Sequence, residues 1–316
     1  MDGPLIAGVG AAVALAATPV AARVATKYGV LDHPGSLKVQ QRPVPYLGGV
    51  AVFVAAAVAA VAGGIEARWL APLALALILG VIDDVRGLGA PSRLSGEALI
   101  GLIAGFIVPA PGPAGVLITA LGVVGLINAV NLLDGLDGLA SGVVFASAIG
   151  FAALGFDGRP LAYGLAGALG GFLVFNRPPA RIYLGDGGSY LLGAALAMFA
   201  AGALHHESEP VYWIIVPLLV AVPLGDTAIA IIRRARAHRP IFSGDRSHVY
   251  DQLVDRGQTR GQATLTCIAV QAALVTAGVI AWHLSDGFAA VVAVTVLVSF
   301  SISAFAFGFA TPRENV

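Results

Sequence analysis

The 316-residue chain is 58% hydrophobic and only 11% charged, and its mean hydropathy of +0.87 leaves too little polar surface to cover a water-soluble domain. A formal net charge of zero argues against a nucleic-acid partner and against a polybasic membrane-surface role. The single cysteine, Cys267, forms no internal disulfide and reads as a small core residue. What remains is an all-α, polytopic integral membrane protein whose partner is the bilayer, organised as a single transmembrane domain over residues 1–316.

In chain order, apolar runs predict about eleven spans, at residues 4–22, 46–63, 69–83, 94–110, 114–130, 139–155, 160–176, 188–204, 211–232, 262–283 and 287–310. The first run follows Asp2 and no basic residue, so it reads as a retained helix rather than a cleaved signal. Gly, Ala and Ser recur throughout, as expected where membrane helices approach closely. With the amino terminus outside, 16 of the 18 basic residues fall on one face, leaving Arg68 and Arg159 on the other. The positive-inside rule makes the rich face cytoplasmic, including the connection 225–261, and puts the 205–210 loop on the far side.

Asp83, Asp84, Asn128, Asn131, Asp134, Asp137, Asn176, Asp186 and Asp226 all lie at that cytoplasmic rim, and ionisable groups at membrane depth are costly enough to mark function. Asp83 and Asp84 close the third span; on a helix they diverge by about 100° and meet different partners. A helix cap or an ion pair with Arg86 accounts for one of these acids more readily than for both. Asn128, Asn131, Asp134 and Asp137 recur every three residues, a spacing that a continuous helix would spread over half its circumference. Gly135 and Gly138 predict that the helix ends there and the backbone curls around a metal or a phosphate, although Asp-Gly pairs also belong to plain turns. Asp186, in Tyr183-Leu-Gly-Asp-Gly-Gly-Ser189, opens the next span, where free N–H groups favour an anion or a metal-bound phosphate; an ordinary N-cap is the plainer reading. Basic residues in 225–261, Arg246 beside His248 among them, set topology and also offer forks to phosphate. His205-His206-Glu207 looks like a metal pair but reads as a solvated loop on the opposite face.

With Pro45-Tyr-Leu-Gly-Gly49, Phe175-Asn176 and Phe242-Ser-Gly-Asp-Arg-Ser-His248, these blocks run in order over nearly the whole chain. In that order they resemble the polyprenyl-phosphate N-acetylhexosamine-1-phosphate transferases (glycosyltransferase family 4). The resemblance implies a Mg²⁺-dependent enzyme of the bacterial plasma membrane, with Mn²⁺ as a substitute. Such an enzyme moves a sugar 1-phosphate from a UDP-N-acetylhexosamine to a polyprenyl phosphate and releases UMP, the first lipid-linked step of envelope glycan synthesis. It further implies Asn131 and Asp186 as Mg²⁺ ligands, Asp83 and Asp84 on the lipid phosphate, and Asp134, Asp137 and Asn176 on the nucleotide sugar. His248 matches the first histidine of the family's cytoplasmic motif; Lys38, Arg42, Asn128 and Arg246 are further substrate contacts.

Two departures accompany the match. Relatives often repeat His shortly after the first, whereas Val249-Tyr250-Asp251 stands here, and the early Arg-Lys block reads Leu37-Lys38-Val39-Gln40. The single histidine favours the GlcNAc branch over phospho-MurNAc-pentapeptide transferase. A secondary transporter would carry its acids at mid-membrane rather than at a rim. A CDP-alcohol phosphotransferase would show Ala-Arg after its first Asp-Gly, where Leu-Ala-Ser follows Gly138. Oligomeric state has no sequence marker, so a homodimer is an expectation from neither composition nor motif.

Overall fold

The computed structural model describes residues 1–33, 42–108, 112–206, 210–240 and 246–311. Helices dominate: α1 (Gly3–Tyr28), α2 (Gly48–Ala62), α3 (Leu70–Arg86), α4 (Ala90–Ile107), α5 (Gly112–Leu133), α6 (Leu139–Ala153), α7 (Arg159–Asn176), α8 (Gly185–His206), α9 (Tyr212–Ile215), α10 (Ala221–Arg236), α11 (Val249–Asp255), α12 (Arg260–Trp282) and α13 (Asp286–Ala306). Two-residue strands β1 (Leu31–Asp32) and β2 (Val44–Pro45) pair antiparallel, Leu31 opposite Pro45. Among the described residues, six helical segments are long and apolar enough to cross a membrane: α1, α5, α8, residues 212–236, α12 and α13. The other apolar helices, α2, α3, α4, α6 and α7, run 15 to 18 residues. Ten of the apolar runs each overlap one of these helices, and the ninth covers α9, a 3-10 turn and α10.

The bundle is built around α8, which is buried without interruption from Gly187 to Phe199. Helices α3 and α5 flank it, α4 lies on α5, α1 and α2 lie on α7, and α12 lies on α6. Close approach at the rim end of α8 depends on missing side chains: a Cβ on Gly80 of α3 would overlap the Asp186 carbonyl. Helix α13, by contrast, presents Phe288, Val291, Val294, Val298 and Ile302 to the outside. Large apolar side chains facing outward along whole helices are what a hydrocarbon solvent requires.

The ninth apolar run departs from the single helix that its hydropathy predicts. Between α9 and α10 the backbone tightens into a 3-10 turn at Val216–Val220. Pro223 has no N–H for the Leu219 carbonyl and its ring crowds that oxygen, so a regular helix fails there. Gln271 of α12, fully buried, repairs the gap. Its Nε2 donates to the Leu218 and Leu219 carbonyls at 3.2 and 3.0 Å, and its Oε1 accepts from Val222 N at 2.9 Å. Backbone polar groups at membrane depth must find protein partners, and here one amide side chain serves three.

Candidate active site

The polar residues gather where α3 and α5 end and α8 begins. Helix α3 stops at Gly87, whose left-handed φ of 65° lets its N–H reach the Asp83 carbonyl. That turn brings the Leu88 N–H onto Asp83 Oδ1 at 2.7 Å. Asp83 Oδ2 accepts from the Tyr190 hydroxyl at 2.6 Å and lies 3.5 Å from the Arg93 guanidinium. Only 6% exposed, Asp83 is therefore a carboxylate with both oxygens engaged. Asp84, turned away as neighbouring helical residues must be, accepts from the Asp186 and Gly187 N–H groups at 3.0 and 3.2 Å and so caps α8. Gly185, at φ 75°, lies against that carboxylate and the Tyr46 carbonyl, where a Cβ would fall 2.8 and 2.6 Å from Asp84 Oδ2 and Tyr46 O.

Helix α5 ends at Leu133 and α6 begins at Leu139, so Asp134 to Gly138 form a turn, as the glycines predict. The three-residue series then divides among neighbours. Asn128 Nδ2 donates to the buried Glu97 of α4 at 2.6 Å and to the Val124 carbonyl at 2.9 Å. Asn131 Nδ2 donates to Asp186 Oδ1 at 2.8 Å and to Ser189 Oγ at 3.1 Å. Asp137 Oδ2 accepts from the Ala180 N–H at 2.9 Å, tying the turn to the 177–184 loop. Asp134 faces the same acidic cluster without a side-chain hydrogen bond among the described residues. Burial first, then the charges of Asp186, Asp84 and Asp137, push its carboxyl up to about 8.

Asn176 is buried under that loop, with Nδ2 donating to the Ile182 carbonyl at 2.9 Å and Oδ1 accepting from Ser141 at 2.5 Å. The loop docks on the start of α2: Tyr183 N donates to the Pro45 carbonyl, and Gly48 and Gly49 N–H groups donate to the Tyr183 and Leu184 carbonyls. The motifs Pro45–Gly49 and Tyr183–Ser189 are thus one structural unit. Tyr46 adds a bond from its hydroxyl to the Asp84 carbonyl at 3.2 Å.

On the other side of the turn, His248 precedes α11 with its Nδ1 2.6 Å from Asp226 Oδ2 of α10. Its ring stacks on Tyr250, centroids 5.6 Å apart and planes 7° from parallel. The Tyr250 hydroxyl donates to the Leu132 carbonyl at 3.1 Å and packs against Gly135. Arg246 is exposed beside this unit, close enough for its charge to act on Tyr250 and Asp251. Arg42 is exposed at the entry to β2, and Lys38 lies outside the described residues.

The structure thus brings Asp84, Asn131, Asp134 and Asp186 together, sets His248 and Arg246 beside them, and turns Asn128 and Asn176 toward partners within the protein. Sequence reasoning missed Tyr190, Arg93, Glu97 and the Asp226–His248 contact. Glu97, 1% exposed in an apolar helix, carried a readable signal as a lone ionisable group at membrane depth. No cluster of three His, Cys, Asp or Glu that could hold a metal occurs among the described residues.

Residues 67–203 match the model of glycosyl transferase family 4. Over 274 residues, 78% of this chain and 76% of the relative, the sequence is 33% identical to a probable undecaprenyl-phosphate N-acetylglucosaminyl 1-phosphate transferase of Bacillus subtilis. It is 29% identical over 300 residues to a decaprenyl-phosphate N-acetylglucosaminephosphotransferase of Mycobacterium tuberculosis, covering 77% of this chain and 73% of the relative. An undecaprenyl-phosphate alpha-N-acetylglucosaminyl 1-phosphate transferase of Escherichia coli is 26% identical over 294 residues, covering 83% and 79%.

Proposed function

Because the chain belongs to glycosyl transferase family 4, we propose that it transfers N-acetylglucosamine 1-phosphate from UDP-GlcNAc to a polyprenyl phosphate, releasing UMP. In this reading eleven helical spans cross the bacterial plasma membrane and the acidic rim faces the cytoplasm, where nucleotide sugars are. The supporting observation is the meeting of Asp84, Asn131 and Asp186 from three helices at one rim, with the charge of Asp134 added to them.

The donor set suits Mg²⁺. Asn131 Oδ1 and Asp186 Oδ2 have no hydrogen-bond partner among the described residues. Two protein oxygens leave room for water and substrate phosphate, the arrangement this ion prefers. Asp134, raised to about 8 by burial first and by the charges of Asp186, Asp84 and Asp137 after it, also gains from a nearby cation. Asn131 and Asp186 would hold Mg²⁺, which supplies positive charge against the diphosphate oxygens when bound.

The residues of the chain position and neutralise, as phosphoryl transfer demands. An oxygen of the lipid phosphate forms a bond to the β-phosphorus of UDP-GlcNAc while the bond from that phosphorus to the bridging oxygen breaks, its electron pair leaving with UMP. The lipid phosphate monoester brings its own nucleophilic oxygen, so direct attack needs no aspartyl-phosphate intermediate. Asp83 takes the last proton from the monoanionic fraction of the lipid phosphate. Asp84 acts through the N-terminus of α8, holding Asp186 in place. Arg246 and Arg42 face phosphate oxygens, His248 stands at the same edge, and Asp134 and Asp137 border the nucleotide sugar.

The test supplies undecaprenyl phosphate, Mg²⁺ and one UDP-sugar at a time to purified protein and measures UMP. Release with UDP-GlcNAc, stopped by chelation, is expected. Release only with UDP-MurNAc-pentapeptide would move the protein to the other branch.

A further inference from the structure

Asp226 is 3% exposed on α10, six residues past the helix break, and both its oxygens are spent on the segment that carries His248. Oδ1 accepts from the Val249 N–H at 2.7 Å, fixing the start of α11. Oδ2 meets His248 Nδ1 at 2.6 Å. An ionised carboxylate only accepts, so Nδ1 must carry the proton, and a neutral ring keeps a free lone pair on the other nitrogen, Nε2. Among the described residues Nε2 has no hydrogen bond. The ring plane is set independently by the stack on Tyr250, which is itself pinned to the Leu132 carbonyl next to the acidic turn. Tilt and rotation of the imidazole are thus fixed by two residues from two elements, an arrangement resembling the buried supports behind reactive histidines elsewhere.

We propose that Asp226 is a positioning residue for the transfer reaction, locking His248 in the Nδ1–H tautomer so that the lone pair of Nε2 is held ready to accept from a substrate hydroxyl at the site. This rests on the transferase reading above. Asp226 touches no substrate and acts only through the histidine, so its effect must vanish when the histidine is gone.

Asp226→Asn retains an oxygen for the Val249 N–H but turns an NH₂ onto Nδ1, reversing the tautomer with little change of shape. The expected result is a fall in kcat of about 100-fold or more, with the KM for UDP-GlcNAc much less altered. In a His248→Gln background the same change should cost nothing further. Asp226→Glu should keep more activity than Asp226→Gln. If the Asn variant fails to fold, ¹⁵N-histidine spectra of the wild type decide instead, with the His248 signal identified by its loss in His248→Gln: Nδ1 must be the protonated nitrogen. An unprotonated Nδ1, or equal losses from Asp226→Asn with and without His248, overturns the proposal. Wild-type protein inert with every UDP-sugar would sink the transferase reading and this inference together, whereas active wild type with additive losses sinks the inference alone.

Discussion

Replacing Asp84 with Asn separates a residue that holds the site from one that reacts in it. Asp84 caps α8 with two N–H···O bonds at 3.0 and 3.2 Å. Bonds to a charged acceptor contribute about 1.5–3 kcal/mol each, and a negative charge at a helix N-terminus about 0.3–1 kcal/mol more. Asn keeps one acceptor, points its NH₂ at the second N–H and loses the charge, so the expected destabilisation is about 2–4 kcal/mol. Thermal unfolding in detergent should fall by several degrees. Because the capped N–H groups belong to Asp186 and Gly187, the distortion passes to Asp186. If about 2 kcal/mol of it appears as lost metal affinity, the half-saturating Mg²⁺ concentration rises by about 30-fold. UMP release measured across a Mg²⁺ titration should therefore show a large right shift, with kcat returning toward wild type at saturation. A loss of kcat that no Mg²⁺ concentration restores, with unchanged unfolding, would refute the reasoning and put Asp84 on the substrate itself.

Asp83→Asn should lose kcat more severely at pH 5.5 than at pH 8.5, because above the lipid phosphate's second pKa of about 6 the proton is already gone; a pH-independent loss would remove the general-base role. Asp186→Asn should abolish turnover in protein that still inserts and folds, and near wild-type rates at ordinary Mg²⁺ would rule out the metal-ligand role. Asp134→Asn should raise thermal stability in chelator at pH 8. The folded carboxyl, at about 8, lies above its unfolded value of about 3.9, so wild-type stability drains away as pH rises between them and the variant is spared; the gain should shrink toward pH 5, and a pH-independent gain would contradict the assignment. Cysteine at Asp157 should react with an impermeant thiol reagent in intact cells while cysteine at Gly89 stays protected, the native Cys267 being buried; the reverse pattern would invert the orientation.

The long helices were legible because each is an apolar run of sufficient length, which the seven-residue α11 is not, and the rim was legible because acids at the ends of membrane helices are rare enough to stand out. The partners were not. Asn128 and Asn131 look alike in sequence, yet one turns to Glu97 on α4 and the other to Asp186 on α8, because three residues along a helix rotate the side chain onto a different neighbour. Asp83 and Tyr190 are 107 residues apart, and nothing local to either announces the other. Asp226 stood out as an acid at the rim, but its histidine lies on a separate element across the 237–247 connection. Strands β1 and β2 are too short to register as alternation, and the interruption at Val216–Val220 was masked by hydropathy that stays high through Pro217 and Pro223.

That interruption also orders the birth of the molecule. During synthesis residues 212–236 reach the bilayer about fifty residues ahead of Gln271, whose bonds to Leu218, Leu219 and Val222 span separations of 53, 52 and 49 residues. Until α12 is made, the Leu218 and Leu219 carbonyls and the Val222 N–H lack the side chain that meets them in the finished bundle. Backbone groups at membrane depth are costly to leave unmet, so the bend that precedes Asp226 draws its support from the penultimate helix. A chain cut short before residue 271 loses all three bonds at once.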